Sequence, residues 1–112
     1  MSLDVYLSLP TGVPDCFHEV CNLNVTHNLT PMARAAGIYE VCWRPEELGL
    51  EKASELIELL EGGLAWLGAN REAASAFDSP NGWGTYDNFV RFVKEYLEAC
   101  RKFPVAVVSV WR

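Results

Sequence analysis

Leu3, Val5, Leu7 and Leu9 alternate with Asp4, Tyr6 and Ser8, and Cys21, Leu23 and Val25 alternate with Asn22 and Asn24. A period of two sends successive side chains to opposite faces, so each run predicts a β-strand with one buried side. The intervening PTGVPDCFHE is rich in turn residues and predicts a loose connection between two antiparallel strands, too long for a tight hairpin. After the second strand, Asn28 or Thr30 is placed to cap a helix with Pro31 in its first turn, and Gly37 ends it. Residues 38–43, IYEVCW, suit either a strand or a short helical turn, and the helical or turn alternative is preferred. Pro45 then opens a further short turn that Gly49 closes.

From Leu50 onward Ala53, Ile57, Leu60, Leu64 and Leu67 recur three to four apart, with Leu56 widening the stripe, which predicts an amphipathic helix. Gly62 and Gly63 each cost about 1 kcal/mol relative to Ala inside a helix and mark a kink or an early end there. Asn70 is placed to cap the short segment REAASAF, and Thr85 to cap a last helix with Asp87 in its first turn. On that helix Phe89, Val93, Tyr96, Leu97 and Cys100 form the core stripe, while Arg101 and Lys102 complement the negative end of the helix dipole. Pro104 closes it. The tail VAVVSVW is apolar on both alternating faces and predicts a central strand, paired with the first strand. The expected architecture is α+β: a small antiparallel sheet of about three strands with two main helices and several short ones.

With 112 residues and 50% hydrophobic content the chain is expected to form one domain, residues 1–112, with LPTGVPD as an internal loop rather than a linker. No internal repeat or low-complexity segment is visible. No apolar run approaches the roughly 18 residues that span a bilayer, and no basic region precedes an apolar stretch at the N-terminus. These features predict a soluble, cytoplasmic protein without membrane association, in which Asn24-Val25-Thr26 and Asn28-Leu29-Thr30 are polar sequence rather than glycosylation acceptors.

A net charge of −6 argues against nucleic-acid binding, which depends on Lys and Arg neutralising phosphates. The acidic residues concentrate in Glu46, Glu47, Glu51, Glu55, Glu58 and Glu61, opposed mainly by Arg44 and Lys52. A solvated helix face explains such a run, and a mimic of nucleic-acid phosphates or a docking face for a basic protein is the sharper alternative. Cys16, Cys21, Cys42 and Cys100 are expected as free thiols in a cytosolic chain, with Cys21 and Cys100 acting as small buried hydrophobes. Cys16, His18, Cys21 and His27 lack the paired spacing of a zinc knuckle, and a strand through Cys21 sends its neighbours to opposite faces, so no metal or cofactor is expected.

Three clusters carry candidate chemistry. NVTHN, Asn24–Asn28, sits where a strand meets a helix, and His27 there brings an imidazole beside Asn28, with Asn and Thr neighbours able to orient its ring or a ligand. NGWGTY, Asn81–Tyr86, combines a turn dipeptide with Trp83 held between two glycines and with Thr85 opening a helix, whose N-terminal N–H groups attract anions. Trp43-Arg44-Pro45-Glu46-Glu47 offers Arg44 to an acidic group, or equally to Glu47 or Glu40. Motifs for phosphate loops, nucleophile elbows and zinc proteases are absent.

These clusters, N-x-T-H-N-L at Asn24–Leu29, AGIY at Ala36–Tyr39, WRPEE at Trp43–Glu47 and NGWGTY, with the valine-rich tail, resemble a family of small uncharacterised proteins from bacterial and phage genomes. The resemblance covers most of the chain and implies an origin and a domain size but transfers no activity; the Cys16–Cys21 region departs from the pattern. The leading expectation is a non-enzymatic binding module, intracellular and phage-related, that meets a protein partner through its acidic surface, as a monomer or homodimer. The alternative is a site for a nucleotide or other small anionic ligand, built from His27, Asn28, Arg44, Asn81, Trp83, Thr85 and Tyr86, with His27 as general base if the protein is an enzyme.

Overall fold

Ser2–Pro10 forms the middle strand, β1, of a three-stranded antiparallel sheet in a computed structural model that describes residues 2–112. It is flanked by β2 (Phe17–Thr26) and β3 (Val107–Trp111) in the order β2-β1-β3. Leu3 pairs with Val25 and Leu7 with Cys21; the register then shifts between Leu7 and Ser8, because Ser8 meets Glu19 and Val20 is the extra residue of a bulge. Both strands run further than their alternation predicts. Pro10 still pairs with Phe17, so the turn-rich connection shrinks to residues 11–16.

The tail does pair with β1, but as an edge strand and not as the central one. Val108 is buried, whereas Val107, Ser109 and Trp111 face outward. The outer edge of β3 is partly covered: the Val108 N–H donates to the Glu51 carbonyl at 2.9 Å, and Lys52 bridges to Val107. β1 holds the centre, with Leu3, Val5 and Leu7 turned into the core. Burying one such side chain contributes about 1.5–3 kcal/mol, so the alternation seen in the first strand is itself a large part of the drive to fold.

Two main helices cover that face: α3 (Ile57–Ala69) and α5 (Tyr86–Lys102). The expected α5 stripe of Phe89, Val93, Tyr96, Leu97 and Cys100 is buried, with Phe92 added to it. Thr85 caps α5 as anticipated, accepting the Asn88 N–H at 3.3 Å. α3 runs straight through Gly62 and Gly63, contrary to the expected break. Gly63 is buried where a Cβ would overlap the Ile38 side chain, so close packing outweighs the poor helix propensity of glycine.

Three short helices, α1 (Thr30–Ala35), α2 (Tyr39–Trp43) and α4 (Arg71–Ser75), complete the second layer, with 3₁₀ turns at His27–Leu29, Pro45–Leu48 and Ala53–Glu55. Residues 38–43 are thus helical, and Gly49 ends the Pro45 turn in a left-handed conformation. Two expected caps fall elsewhere. Thr26 takes the role foreseen for Asn28 or Thr30, accepting the Asn28 N–H at 3.3 Å, and a 3₁₀ turn feeds α1 directly. Asn70 turns back to donate to the Trp66 carbonyl at 3.0 Å, closing α3 rather than opening α4.

All four cysteines are free. Burial pushes the Cys42 thiol far above its ordinary value and that of Cys100 up to about 12, so both behave as small hydrophobes. The Tyr96 hydroxyl, buried beside them, has no hydrogen-bond partner among the described residues. No helix among those residues is long and apolar enough to cross a membrane, and no group of three or more His, Cys, Asp or Glu side chains is placed to hold a metal ion.

Candidate binding site

The loop between α4 and α5 is folded on itself by Asn81. The Asn81 Oδ1 accepts from the Ser79 hydroxyl at 2.6 Å and from the Trp83 N–H at 2.9 Å, while the Ser79 N–H donates to the Gly84 carbonyl at 2.9 Å. This local turn is what an Asn-Gly dipeptide favours. A second set of contacts carries the loop to the end of β2. The Asn28 Nδ2 donates to the Trp83 carbonyl at 2.7 Å, and Gly84, at φ +117°, lies so close to Thr26, Asn28 and Leu29 that a Cβ would stand 3.0–3.3 Å from their side chains. Only glycine fits both the backbone angle and the space. The NVTHN and NGWGTY clusters, distant in sequence, therefore form one surface.

Within that surface Trp83 is clamped through its N–H and its carbonyl, yet 71% of the residue is exposed. It stands between two open hollows. The larger, about 550 Å³, has His27 and Asn28 on one side, Asn81 on the other and Ser2 and Asn24 at the sheet end. The smaller, about 360 Å³, brings in Asn88, Arg91 and Glu95 from α5. Asn24, Thr26 and Trp83 belong to both.

The ring of His27 is oriented by a buried neighbour. Trp43 is buried, and its indole N–H donates to His27 Nδ1 at 2.9 Å. An indole nitrogen is only ever a donor, so Nδ1 must carry a lone pair. In the neutral ring the proton then sits on Nε2, which makes His27 a hydrogen-bond donor toward any ligand and removes the free lone pair that a general base needs. Asn24 is oriented too, its Nδ2 donating to Asp4 Oδ1 at 2.8 Å and to the Ser2 hydroxyl at 3.0 Å.

Not every candidate residue converges here. Arg44 lines neither hollow; its guanidinium donates to the Tyr39 hydroxyl at 3.2 Å and to Glu47 at 2.6 Å. Tyr86 is buried, with its hydroxyl donating to the Leu67 carbonyl at 2.8 Å, and serves the core. Thr85 spends its hydroxyl on the α5 cap. The α5 N-terminus is also taken, because Asp78 accepts the Tyr86 N–H at 2.7 Å and places a carboxylate where an external anion was expected. Asn24 and Thr26, noted in the sequence only as neighbours of His27, line both hollows; the outward phase of the β2 alternation was their signal. Asn88 and Arg91 were not singled out, and their spacing three and six residues beyond the Thr85 cap is the only mark they leave in the sequence.

The acidic run is mostly engaged internally. Glu47 pairs with Arg44, Glu46 with Arg112 and Glu61 with Arg101. Glu55 accepts the main-chain N–H groups of Lys52 at 2.8 Å and Glu51 at 3.2 Å, which holds its carboxyl below the usual range. Exposed ion pairs add little stability, but each engaged carboxylate is one charge fewer for a basic partner. No family model, curated protein or solved structure matches the chain.

Proposed function

We propose that this protein is a non-catalytic binding module that holds a small polar molecule against Trp83. The observation that carries this reading is the combination of rigidity and exposure at Trp83: both main-chain polar groups are fixed by asparagine side chains while the indole is left to solvent. Covering roughly 100 Å² of such a surface contributes about 2–3 kcal/mol, enough to anchor a small ligand once neighbouring polar groups fix its orientation. The Trp43 indole N–H, which takes up the Nδ1 lone pair of His27, argues for binding over acid-base catalysis. A protein partner drawn to the acidic run is the weaker reading, since four of its six carboxylates already have partners within the chain.

A fragment library titrated into ¹⁵N-labelled protein tests this. The Trp83 indole N–H signal, assigned with Trp83→Phe, should move with saturable hits while that of Trp43 stays fixed. Hits that bind Trp83→Ala equally well, or a library that leaves the Trp83 signal in place, would overturn the reading.

A further inference from the structure

We infer that the occupant of the larger hollow is a neutral pyranose ring, free or at the end of a glycan, lying on Trp83 with its hydroxyls on Asn24, Asn28 and Asn81. This rests on the binding-module reading and adds the chemical class. It comes from counting which polar groups the protein has already used. Asn24 spends both amide protons on Asp4 and Ser2, leaving its Oδ1 as an acceptor. Asn28 spends one proton on the Trp83 carbonyl and keeps its Oδ1 and one proton. Asn81 is the reverse: its Oδ1 accepts twice, and its Nδ2 protons remain. His27 adds a donor at Nε2. The hollow therefore offers neutral donors and neutral acceptors side by side. A sugar hydroxyl is both donor and acceptor and satisfies either kind, so vicinal hydroxyls match this mixture without regard to order.

Competing ligand classes fit less well. Among the described residues that line the larger hollow there is no Lys or Arg, and Asp78 already occupies the nearby helix N-terminus, so a phosphate would find no side-chain countercharge among them. A nucleobase presents two apolar faces, and Trp83 is the one large aromatic plate among the described residues of this hollow. Its second face would stay in water. A pyranose has one apolar face to cover and keeps the rest of its hydroxyls solvated in an open hollow. The adjoining smaller hollow, which shares Asn24, Thr26 and Trp83 and adds Asn88, Arg91 and Glu95, is positioned for a second ring.

The test is a ¹⁵N titration with methyl glucoside, methyl galactoside, methyl mannoside and N-acetylglucosamine, with cellotriose and chitotriose, and with adenosine, uridine and inorganic phosphate as counter-probes. At least one pyranoside should shift the Trp83 indole signal saturably. Trp83→Ala should weaken that binding on the order of tenfold or more, and Asn24→Ala, which leaves the loop intact, by several-fold. A trisaccharide binding tighter than its monomer supports an extended glycan crossing Trp83, and equal affinities support a single ring. If adenosine, uridine or phosphate shifts Trp83 and no pyranoside does, the sugar inference fails while the binding module stands. Silence from every pyranoside overturns the inference, and silence from the fragment library as well removes the module with it.

Discussion

The acidic run from Glu46 to Glu61 and the loop from Ser79 to Thr85 are both polar, exposed and attractive as sites, and they differ in what their polar groups are doing. In the acidic run four of the six carboxylates are tied, to Arg44, Arg101, Arg112 and the main chain at the 3₁₀ turn Ala53–Glu55. At the loop, Asn81 from within it and Asn28 from the 3₁₀ turn after β2 use part of their hydrogen-bonding capacity to fix Trp83 and keep the remainder free. Charge density thus marks a surface whose carboxylates are mostly engaged, while the uncharged loop and the end of β2 that it docks on hold unspent donors and acceptors. What is left over after internal pairing is a better guide to binding than how many polar residues a segment contains.

The comparison breaks most sharply at Gly84. Gly84→Ala forces a Cβ into Thr26, Asn28 and Leu29 at φ +117°, and should cost about 2 kcal/mol in urea unfolding while freeing the Trp83 indole signal from its single environment. Next is His27. His27→Ala leaves the buried Trp43 N–H without an acceptor, a loss of about 1–3 kcal/mol, and His27→Asn, which keeps an acceptor near the Nδ1 position, should recover most of it. Equal stability of the two variants would show that the indole bond carries no weight.

Smaller effects follow in the acidic run. Glu55→Ala should lower the Tm because two main-chain N–H groups lose their acceptor, whereas Glu58→Ala, which removes no ion pair or side-chain hydrogen bond, should leave it in place. Main-chain donation from Lys52 and then Glu51 lowers the Glu55 carboxyl in the folded state. Its contribution is therefore present above the ordinary carboxylate range and is lost as pH falls through the lowered folded value. Glu55→Gln should flatten the acid side of a stability-against-pH curve. The smallest change in stability is expected at Trp83: Trp83→Ala should stay within about 0.5 kcal/mol of the parent in urea unfolding and lose only ligand binding.

Much of the fold was legible along the chain because its signals are local. The alternation of Leu3 to Leu9, the α5 stripe and the Thr85 cap each depend on residues within a few positions of one another, and each is found as read. The departures are tertiary. Gly62 and Gly63 signal a break until Ile38 is packed against Gly63, and VAVVSVW signals a central strand because nothing local reveals that β1 already holds the centre. Asn70 looks like a cap until its amide is seen turning back to Trp66. The site was legible as two separate clusters. Their union was not, since the Asn28 bond to Trp83 spans 55 residues and no periodicity records it. Trp83 and Tyr86, three residues apart in one motif, end on opposite sides of the protein surface, and that direction is set by how the loop docks.

The placement of β1 between an early and a late strand also sets an order of events in time. β1 can zip against β2 as soon as both have been synthesised, because only six residues separate them. Its other edge, which meets Trp111 through Asp4, must wait until the last helix and the strand after it have been made. During that wait the nascent hairpin carries an open, apolar-faced strand edge, the kind of template that recruits neighbouring chains. Arrival of β3 closes the open edge of β1, so slowing translation ahead of Val107 should raise aggregation without altering the stability of the finished protein.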